Sequence, residues 1–237
     1  MRSHAKQTLG VPSMQAKHLN GVAKARTSRR RAAASQRVRG LERNEHLPFI
    51  PPEDWHEPQG TSGTYRIVVQ PPGNGYRHIV TPQDVQDRLN SLPKHFINSL
   101  EVVQFSRMTH KKRSFPCYGM QWGNALYLYP LEETLVEDFD QPPRPNFVNE
   151  TRMYGARWKR EAPHIWRLVW TARTIKDFYL NNVLIHELGH LLDERNASYL
   201  DRERYAEWFA VQHGYLPTKA QRRPGRKKRI RRRHHAK

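Results

Sequence analysis

The positive charge of this chain lies at its two ends, which limits the part that can fold into a compact domain. The chain has 237 residues, with 41 Lys and Arg against 22 Asp and Glu, and a net charge of +19. Residues 1–45 have a net charge of +9 and residues 217–237 one of +11, which leaves −1 for residues 46–216. A segment with many like charges and little apolar surface cannot offset the entropy lost on ordering. The sequence therefore predicts a disordered basic arm over 1–46, one folded domain over 47–216 and a disordered basic tail over 217–237.

The same composition gives expectations about partners and compartment. Basic arms attract polyanions without sequence preference, so they predict contact with nucleic acid or the ribosome, or merely greater solubility. The single cysteine, Cys117, rules out an intrachain disulfide and fits a reducing compartment. No apolar run follows the basic N-terminus, and no stretch approaches the ~20 apolar residues that cross a bilayer. These features predict a soluble, cytoplasmic protein with no membrane contact.

Segments rich in β-branched and aromatic residues predict strands. They are residues 64–70, 76–80, 100–105, 125–129 and 165–170. The first two are predicted to pair as a hairpin, because a turn with two glycines, residues 71–75, joins them. Residues 140–163 are polar and contain several prolines, and we predict that they leave the core.

Helices are predicted at three places. The first begins at Thr81, with Asp84 placed for a capping box. The other two close the domain, one over about residues 175–194 and one from Ser198 to Gly214, where glycine is suited to end a helix. Strands that come first and paired helices that come last predict an α+β fold.

The helix over 175–194 carries the sequence His-Glu-Leu-Gly-His at 186–190. Residues four apart lie on one face of a helix, so the imidazoles of His186 and His190 can point at a single Zn²⁺ ion. Glu187 is rotated about 100° from His186, where it can take a proton from a water that the metal activates. This motif also occurs by chance, but its flanks here are apolar, and three polar side chains in a buried setting need a shared partner. We therefore expect one zinc ion at this helix, with Glu187 as the catalytic base.

A zinc site of this kind needs a third protein ligand. The following helix offers Glu203 and Glu207, which lie on one stripe with Ala206 and Ala210. The alanines allow the two helices to approach closely, and a turn near residues 196–198 makes the helices antiparallel. Both acids then bracket the level of the zinc, and either is a candidate for the third ligand.

The sequence His-Glu-Leu-Gly-His-Leu-Leu at 186–192, followed by Glu-x-x-Ala-Glu-x-Phe-Ala at 203–210, resembles the gluzincin zinc metallopeptidases, particularly the compact ImmA/IrrE type. The resemblance covers about residues 165–217. It implies a zincin-like fold, in which a small mixed or antiparallel sheet packs on the active-site helix and on a following antiparallel helix. It also implies that Glu203 is the third ligand and that Glu207 supports a ligating histidine. The short gap of twelve residues between second histidine and first acid, and Glu rather than Asp or Asn at 207, leave the opposite assignment open.

The family further implies an edge strand beside the active helix that aligns the substrate, and residues 125–129 or 165–170 are the candidates. The leading hypothesis is a zinc-dependent peptidase that cleaves peptide bonds of a protein substrate. The alternative is a nucleic-acid-associated binding or regulatory protein with weak or no hydrolytic activity. Both hold together if the basic arms deliver a protease to its substrate. A third hypothesis is a metal-free remnant of such an enzyme.

Overall fold

The structure, a computed structural model, describes residues 51–60, 63–114 and 117–222; the predicted arm over 1–46 and the end of the predicted tail lie outside these residues. The described chain is an α+β fold, as predicted. Its largest sheet contains, in spatial order, β1 (Arg66–Val69), β3 (Val102–Phe105), β5 (Ala125–Leu128) and β4 (Gly119–Trp122). The first three strands run parallel, and β4 lies antiparallel to β5 at one edge.

The predicted hairpin between residues 64–70 and 76–80 is wrong. β1 pairs with β3, whereas β2 (Tyr76–Arg77) pairs antiparallel with β6 (Leu131–Glu132). All four residues of β3 are buried, so this strand needs a neighbour on each side, which β1 and β5 supply. A pairing between strands that are distant in sequence overrides the local turn signal.

The observed helices agree with the predicted helix boundaries only in part. They are α1 (Pro82–Asn90), a 3₁₀ turn (Lys94–Phe96), α2 (His110–Ser114), α3 (Pro145–Met153), α4 (Ala172–Phe178), α5 (Leu184–Leu192), α6 (Tyr199–Phe209) and α7 (Leu216–Arg222). The predicted start of α1 is confirmed, because the Thr81 hydroxyl accepts from the Asp84 N–H and the Asp84 carboxylate accepts from the Thr81 N–H. No helix in the described part of the chain is long and apolar enough to cross a membrane.

Two π-helical segments interrupt the helices that close the domain. Tyr179–Val183 joins α4 to α5, so the helix predicted over 175–194 is part of one continuous helical run with a wider turn inside it. Ala210–Tyr215 joins α6 to α7, so the chain stays helical past the predicted end at Gly214. The predicted boundary between domain and tail consequently falls inside α7.

The prediction that Gly214 ends a helix is wrong, because its lack of a side chain serves packing. A Cβ on this residue would lie 1.9 Å from the carbonyl oxygen of Asn181 and 2.9 Å from the carbonyl carbon. Only glycine allows the second π-helical segment to approach the first this closely. The same Asn181 oxygen accepts a hydrogen bond from the Tyr154 hydroxyl at 2.8 Å. That bond satisfies a buried carbonyl where the chain departs from the α-helical hydrogen-bond pattern.

A second sheet contains β7 (Val136–Phe139), β9 (Ile165–Val169) and β8 (Arg157–Ala162), all antiparallel, with β9 in the middle. The strand predicted at 165–170 is therefore confirmed. The prediction that residues 140–163 leave the core is wrong, because they form α3 and β8. Aromatic packing is the reason: the rings of Phe139, Phe147 and Trp158 lie with centroids 5.1–6.1 Å apart.

The largest sheet is covered by apolar side chains on both faces. On one face Leu126 and Leu128 of β5 join the main core, which includes Phe178 of α4 and Leu188 of α5. On the other face Tyr127 and Tyr129 belong to a smaller apolar cluster, because alternate residues of a strand point to opposite faces. The helix with the predicted zinc ligands thus packs against the main-core face.

Candidate metal centre

Helices α5 and α6 lie side by side and run in opposite directions. Gly189 of α5 faces α6, and a Cβ on it would lie 3.0 Å from the Cα of Ala206 and 3.1 Å from the Cβ of Phe209. Small residues on both helices therefore allow the close approach that the alanine stripe predicted. At the start of α6, the Ser198 hydroxyl accepts a hydrogen bond from the Asp201 N–H at 3.1 Å, which fixes where this helix begins.

The connection between the two helices is short and is held by polar contacts. The carboxylate of Asp193 accepts hydrogen bonds from the backbone N–H groups of Arg195 and Asn196, both at 3.2 Å, and from the Asn196 side-chain amide at 3.0 Å. Burial raises the pKa of Asp193, but these hydrogen bonds outweigh burial and lower it. Arg202 of α6 donates to the carbonyl oxygen of His190 at 3.1 Å. These contacts set the register of α6 against α5 within a gap of twelve residues.

Three side chains meet where the two helices face each other. The Nε2 atoms of His186 and His190 are 3.1 Å apart. Glu203 places Oε1 3.2 Å from Nε2 of His190 and Oε2 3.5 Å from Nε2 of His186. One donor atom from each residue lies within 4.8 Å of the other two.

These distances fit a zinc ion. Nitrogen and oxygen ligands bind zinc at ~2.0–2.2 Å, so two ligands of a tetrahedral ion lie about 3.3 Å apart. The two imidazole nitrogens lie 3.1 Å apart, and each lies 3.2 or 3.5 Å from a different oxygen of the Glu203 carboxylate, all near that value. Three protein ligands leave one position of a tetrahedral ion open, which is the arrangement of catalytic rather than structural zinc sites.

Of the two acids predicted as alternatives for the third ligand, the structure brings Glu203 to the histidines. Glu207 lies one turn further along α6, where it is exposed and does not belong to the group of three. Partial burial and then the charge of Glu150 raise the pKa of Glu207, whereas His186 acts in the opposite sense. Glu207 therefore lies at the rim of the centre, where its carboxyl interacts with the charges of His186 and Glu203.

The charges at the centre depend strongly on one another. Burial alone lowers the pKa of His186, but the hydrogen bond and charge of Glu203, with the charge of Glu187, raise it to about 9. Burial raises the pKa of Glu203, but both histidines outweigh burial and hold this pKa well below its usual range. A proton and a metal cation therefore compete for the same imidazole nitrogen.

Glu187 lies beside the three ligands and is buried, with only 8% of its surface exposed. Burial raises the pKa of Glu187, although both histidines and the N–H of Gln121 favour its charged form. Its side chain packs on Gly119 of β4, where a Cβ would lie 2.8 Å from both Cγ and Oε1 of Glu187. A carboxyl with a raised pKa, held in one place, is suited to accept a proton and return it.

The edge strand beside α5 is β4, and neither predicted candidate is at an edge. The strand at 125–129 is β5, which lies between β3 and β4, and the strand at 165–170 is β9, which lies between β7 and β8. Both are rich in β-branched or aromatic residues because they are interior strands. β4 was not predicted as a strand, because it contains Gly119 and Gln121. The apolar residues at 118, 120 and 122 nevertheless alternate as in a strand.

Two further residues near the centre were missed by the sequence reasoning. Glu150 of α3 accepts a hydrogen bond at 2.6 Å from the side chain of Asn182, one turn before His186, and its charge helps to raise the pKa of His186. Burial, followed by the charge and hydrogen bonding of Glu203, raises the pKa of Tyr199 at the start of α6. Tyr199 lies on the stripe of Glu203, four residues before it, so helical spacing offered a signal. Glu150 offered none, because its segment was expected outside the core.

The centre combines three convergent side chains that could hold a metal ion, a buried carboxyl beside them and the edge strand β4 next to that carboxyl. His186, Glu187, His190 and Glu203 all lie in it, as the sequence predicted, and Glu207 stands at its rim. Comparison of the chain with protein-family models, with curated proteins and with solved structures finds no match.

Proposed function

We propose that this protein is a zinc-dependent hydrolase, a peptidase that cleaves peptide bonds of a protein substrate. The observation that carries the proposal is the convergence of His186, His190 and Glu203 on one point, with Glu187 beside it. Two imidazoles and a carboxylate are a ligand set of hydrolytic zinc sites, which leave one position open for the reaction. The alternative roles of Glu203 and Glu207 are assigned accordingly, with Glu203 as the ligand.

A zinc ion held by His186, His190 and Glu203 would act as a Lewis acid, which would lower the pKa of a water molecule and polarise the scissile carbonyl. Glu187 accepts the proton of the attacking water and passes it to the leaving amine. Burial favours the protonated form of this carboxyl, so Glu187 can hold the proton between the two steps. The N–H of Gln121 and the close contact with Gly119 keep the carboxyl in place.

The free edge of β4 supports an extended peptide as the substrate. The N–H of Tyr129 donates to the carbonyl of Tyr118 at 2.9 Å, which fixes the alternation of the antiparallel ladder. The backbone groups of Met120 therefore face β5, and those of Gly119 and Gln121 face away from the sheet. The N–H of Gln121 already donates to Glu187, so a peptide would pair with the backbone groups of Gly119 and the carbonyl of Gln121. Such a peptide is placed along Glu187, and its backbone rather than its side chains supplies the first contacts.

The same elements support a zincin-like relationship. An active-site helix, an antiparallel helix that brings the third ligand, and an edge strand beside the base are what the resemblance to gluzincin peptidases implies. In this chain these parts are α5, α6 and β4. The mixed order of the largest sheet, with β4 antiparallel at its edge, agrees with the mixed sheet that the resemblance implies.

The experiment that tests the proposal separates metal binding from chemistry. Glu187→Gln keeps the size of the side chain and removes its capacity to accept a proton. We expect the variant to keep its zinc and to lose at least about 100-fold in the hydrolysis of fluorescein-labelled casein, which is the usual effect of losing a general base. Glu194→Gln, at an exposed glutamate just after α5, is the matched control and should leave the rate unchanged. Hydrolysis at the wild-type rate by zinc-loaded Glu187→Gln would show that the mechanism is wrong.

A second function is favoured by the charge of the chain ends. The ends hold the whole excess of positive charge, whereas residues 46–216 have a net charge of −1. We propose that the ends bind nucleic acid or another polyanion without sequence preference. This binding is compatible with hydrolysis at the metal centre, which it would bring near polyanion-bound substrates.

A further inference from the structure

We propose that Cys117 and Lys112 form a peroxide-sensitive pair that closes into a covalent sulfur–nitrogen bond. The pair lies on the face of the largest sheet that carries Tyr127 and Tyr129, opposite the face on which α5 packs. The proposal therefore goes beyond the proposed hydrolysis and does not depend on it.

The first observation is the position of the Lys112 amine. Only 5% of this residue is exposed, although a charged lysine is almost never buried without a charged partner. Its Nζ donates to the sulfur of Cys117 at 3.2 Å and lies 4.1 Å from the centre of the Tyr129 ring. Lysine beside a cysteine is one of the settings in which cysteine reacts, because the thiolate is the nucleophile. The amine is already within hydrogen-bond distance of the atom with which it would form a bond.

The second observation is an unpartnered hydroxyl at the same place. The Tyr129 hydroxyl is buried and has no hydrogen-bond partner in the described part of the chain, and such groups are rare in folded proteins. Cys117 packs against the apolar cluster that contains Tyr129, and the Lys112 amine contacts both the sulfur and the Tyr129 ring. Lys112 and Tyr129 both line a polar cavity of about 10 Å³, close to the room that one water-sized group needs. Cys117 itself does not line this cavity, but the Lys112 amine lies both at the cavity and 3.2 Å from the sulfur. An oxygen atom added to the sulfur would thus have this amine as a hydrogen-bond donor.

The chemistry proceeds in two balanced steps. In the first, the sulfur of Cys117 takes one oxygen atom from hydrogen peroxide, and water leaves; sulfur loses two electrons and the peroxide gains them. In the second, the Lys112 ammonium first loses one proton to the solvent, and the neutral Nζ attacks the sulfur of the sulfenic acid. The sulfur–nitrogen bond forms, the sulfur–oxygen bond breaks, and the hydroxyl leaves as water with one hydrogen from the nitrogen. No further oxidant is needed. Sulfenic acids condense in this way with backbone nitrogen, and here a side-chain amine stands in that position.

The test uses the full-length protein, hydrogen peroxide and mass spectrometry. Trypsin cuts after Arg113, between the two residues, so only a crosslink keeps the two peptides together. We expect the wild-type chain to lose two hydrogens, to yield a joined peptide of Lys112 and Cys117, and to regain its original mass after treatment with a thiol. In Lys112→Met we expect Cys117 to gain one oxygen and to react with dimedone instead. Lys94→Met, at an exposed lysine, should behave as the wild type, and Cys117→Ser should show neither product.

Three results would overturn the proposal. One is a wild-type Cys117 that stays reduced under peroxide that oxidises glutathione. Another is oxygen addition without a joined peptide, which would leave a reactive thiol but no pair. The third is a joined peptide in which a lysine other than Lys112 is attached. The wild-type measurement decides among these outcomes by itself, so none depends on whether a variant folds.

Discussion

At the scale of single residues, His186 and Glu203 can stabilise the fold as an ion pair without a metal, and in the proposed function both bind the metal. The pKa of His186 is raised from 6.5 to about 9, so the stabilisation that its proton provides is fully present below pH 6.5 and is lost as the pH rises through 9. The pKa of Glu203 is lowered from 4.5, so its contribution is present above pH 4.5 and is lost at more acidic pH. Without a metal, the pair of His186 and Glu203 therefore stabilises the fold most between pH 4.5 and pH 6.5.

Because a proton and zinc compete for the same nitrogen of His186, we predict that zinc binding releases a proton at neutral pH. Zinc must displace the proton of His186, so the affinity should rise about tenfold per pH unit from pH 6.5 towards pH 9 and then level off. Calorimetric titrations at pH 7 in two buffers with different heats of ionisation measure the number of protons released, which we expect to be about one. A zinc affinity that does not change between pH 7 and pH 8 would contradict the assigned protonation of His186.

At the scale of elements, the two π-helical segments connect the metal centre to the rest of the fold. The first directly precedes α5 with the two histidines, and the second directly follows α6 with Glu203. They touch at Asn181 and Gly214, and Arg88 of α1 holds them together by donating to the Asn181 side chain at 2.7 Å and to the His213 carbonyl at 2.6 Å. The alignment of the ligands is thus supported about two turns away from them.

We predict that Gly214→Ala destabilises the protein strongly. The new methyl group would overlap the carbonyl oxygen of Asn181 at 1.9 Å, so the two π-helical segments would have to separate. Overpacking of a tight contact costs about 1–3 kcal/mol or more, and urea unfolding measures the loss. Gln212→Ala is the matched control, since it lies in the same segment with an exposed side chain, and should change the free energy of unfolding by less than about 0.5 kcal/mol. Equal stability of Gly214→Ala and Gln212→Ala would contradict the packing described here.

The sequence predicted local features and missed those that depend on distant contacts. The cap at Thr81 and the convergence of His186 and His190 follow from helical spacing alone, and both are found. The choice of Glu203 over Glu207 was open because it depends on the register between two helices, which polar contacts in the connection set. The role of Gly214 was misjudged, because its close contact is with a residue 33 positions earlier in the chain. A local sequence pattern does not indicate which distant residues the fold brings into contact.

At the scale of the whole molecule, the distribution of charge separates the proposed nucleic-acid binding from the proposed catalysis. Because α7 continues to residue 222, the removable basic ends are residues 1–45 and 223–237, each with a net charge of +9, and residues 46–222 have a net charge of +1. We predict that deleting both ends abolishes salt-dependent retention of the chain on DNA or RNA, as measured by binding at increasing salt. Zinc content should stay unchanged in the truncated chain. Full retention of nucleic acid by residues 46–222 would exclude the ends from this role.

The proposed metal centre depends on one ligand set, and equilibrium zinc binding tests that set most directly. The metal-free wild type, Glu203→Gln and Glu207→Gln are titrated with zinc in competition with a chromophoric chelator. We predict one ion per wild-type chain, a loss of more than about 100-fold in affinity for Glu203→Gln, beyond what loss of a supporting residue costs, and less than about tenfold for Glu207→Gln. Wild-type affinity in Glu203→Gln, or a greater loss in Glu207→Gln than in Glu203→Gln, would contradict the metal centre proposed here.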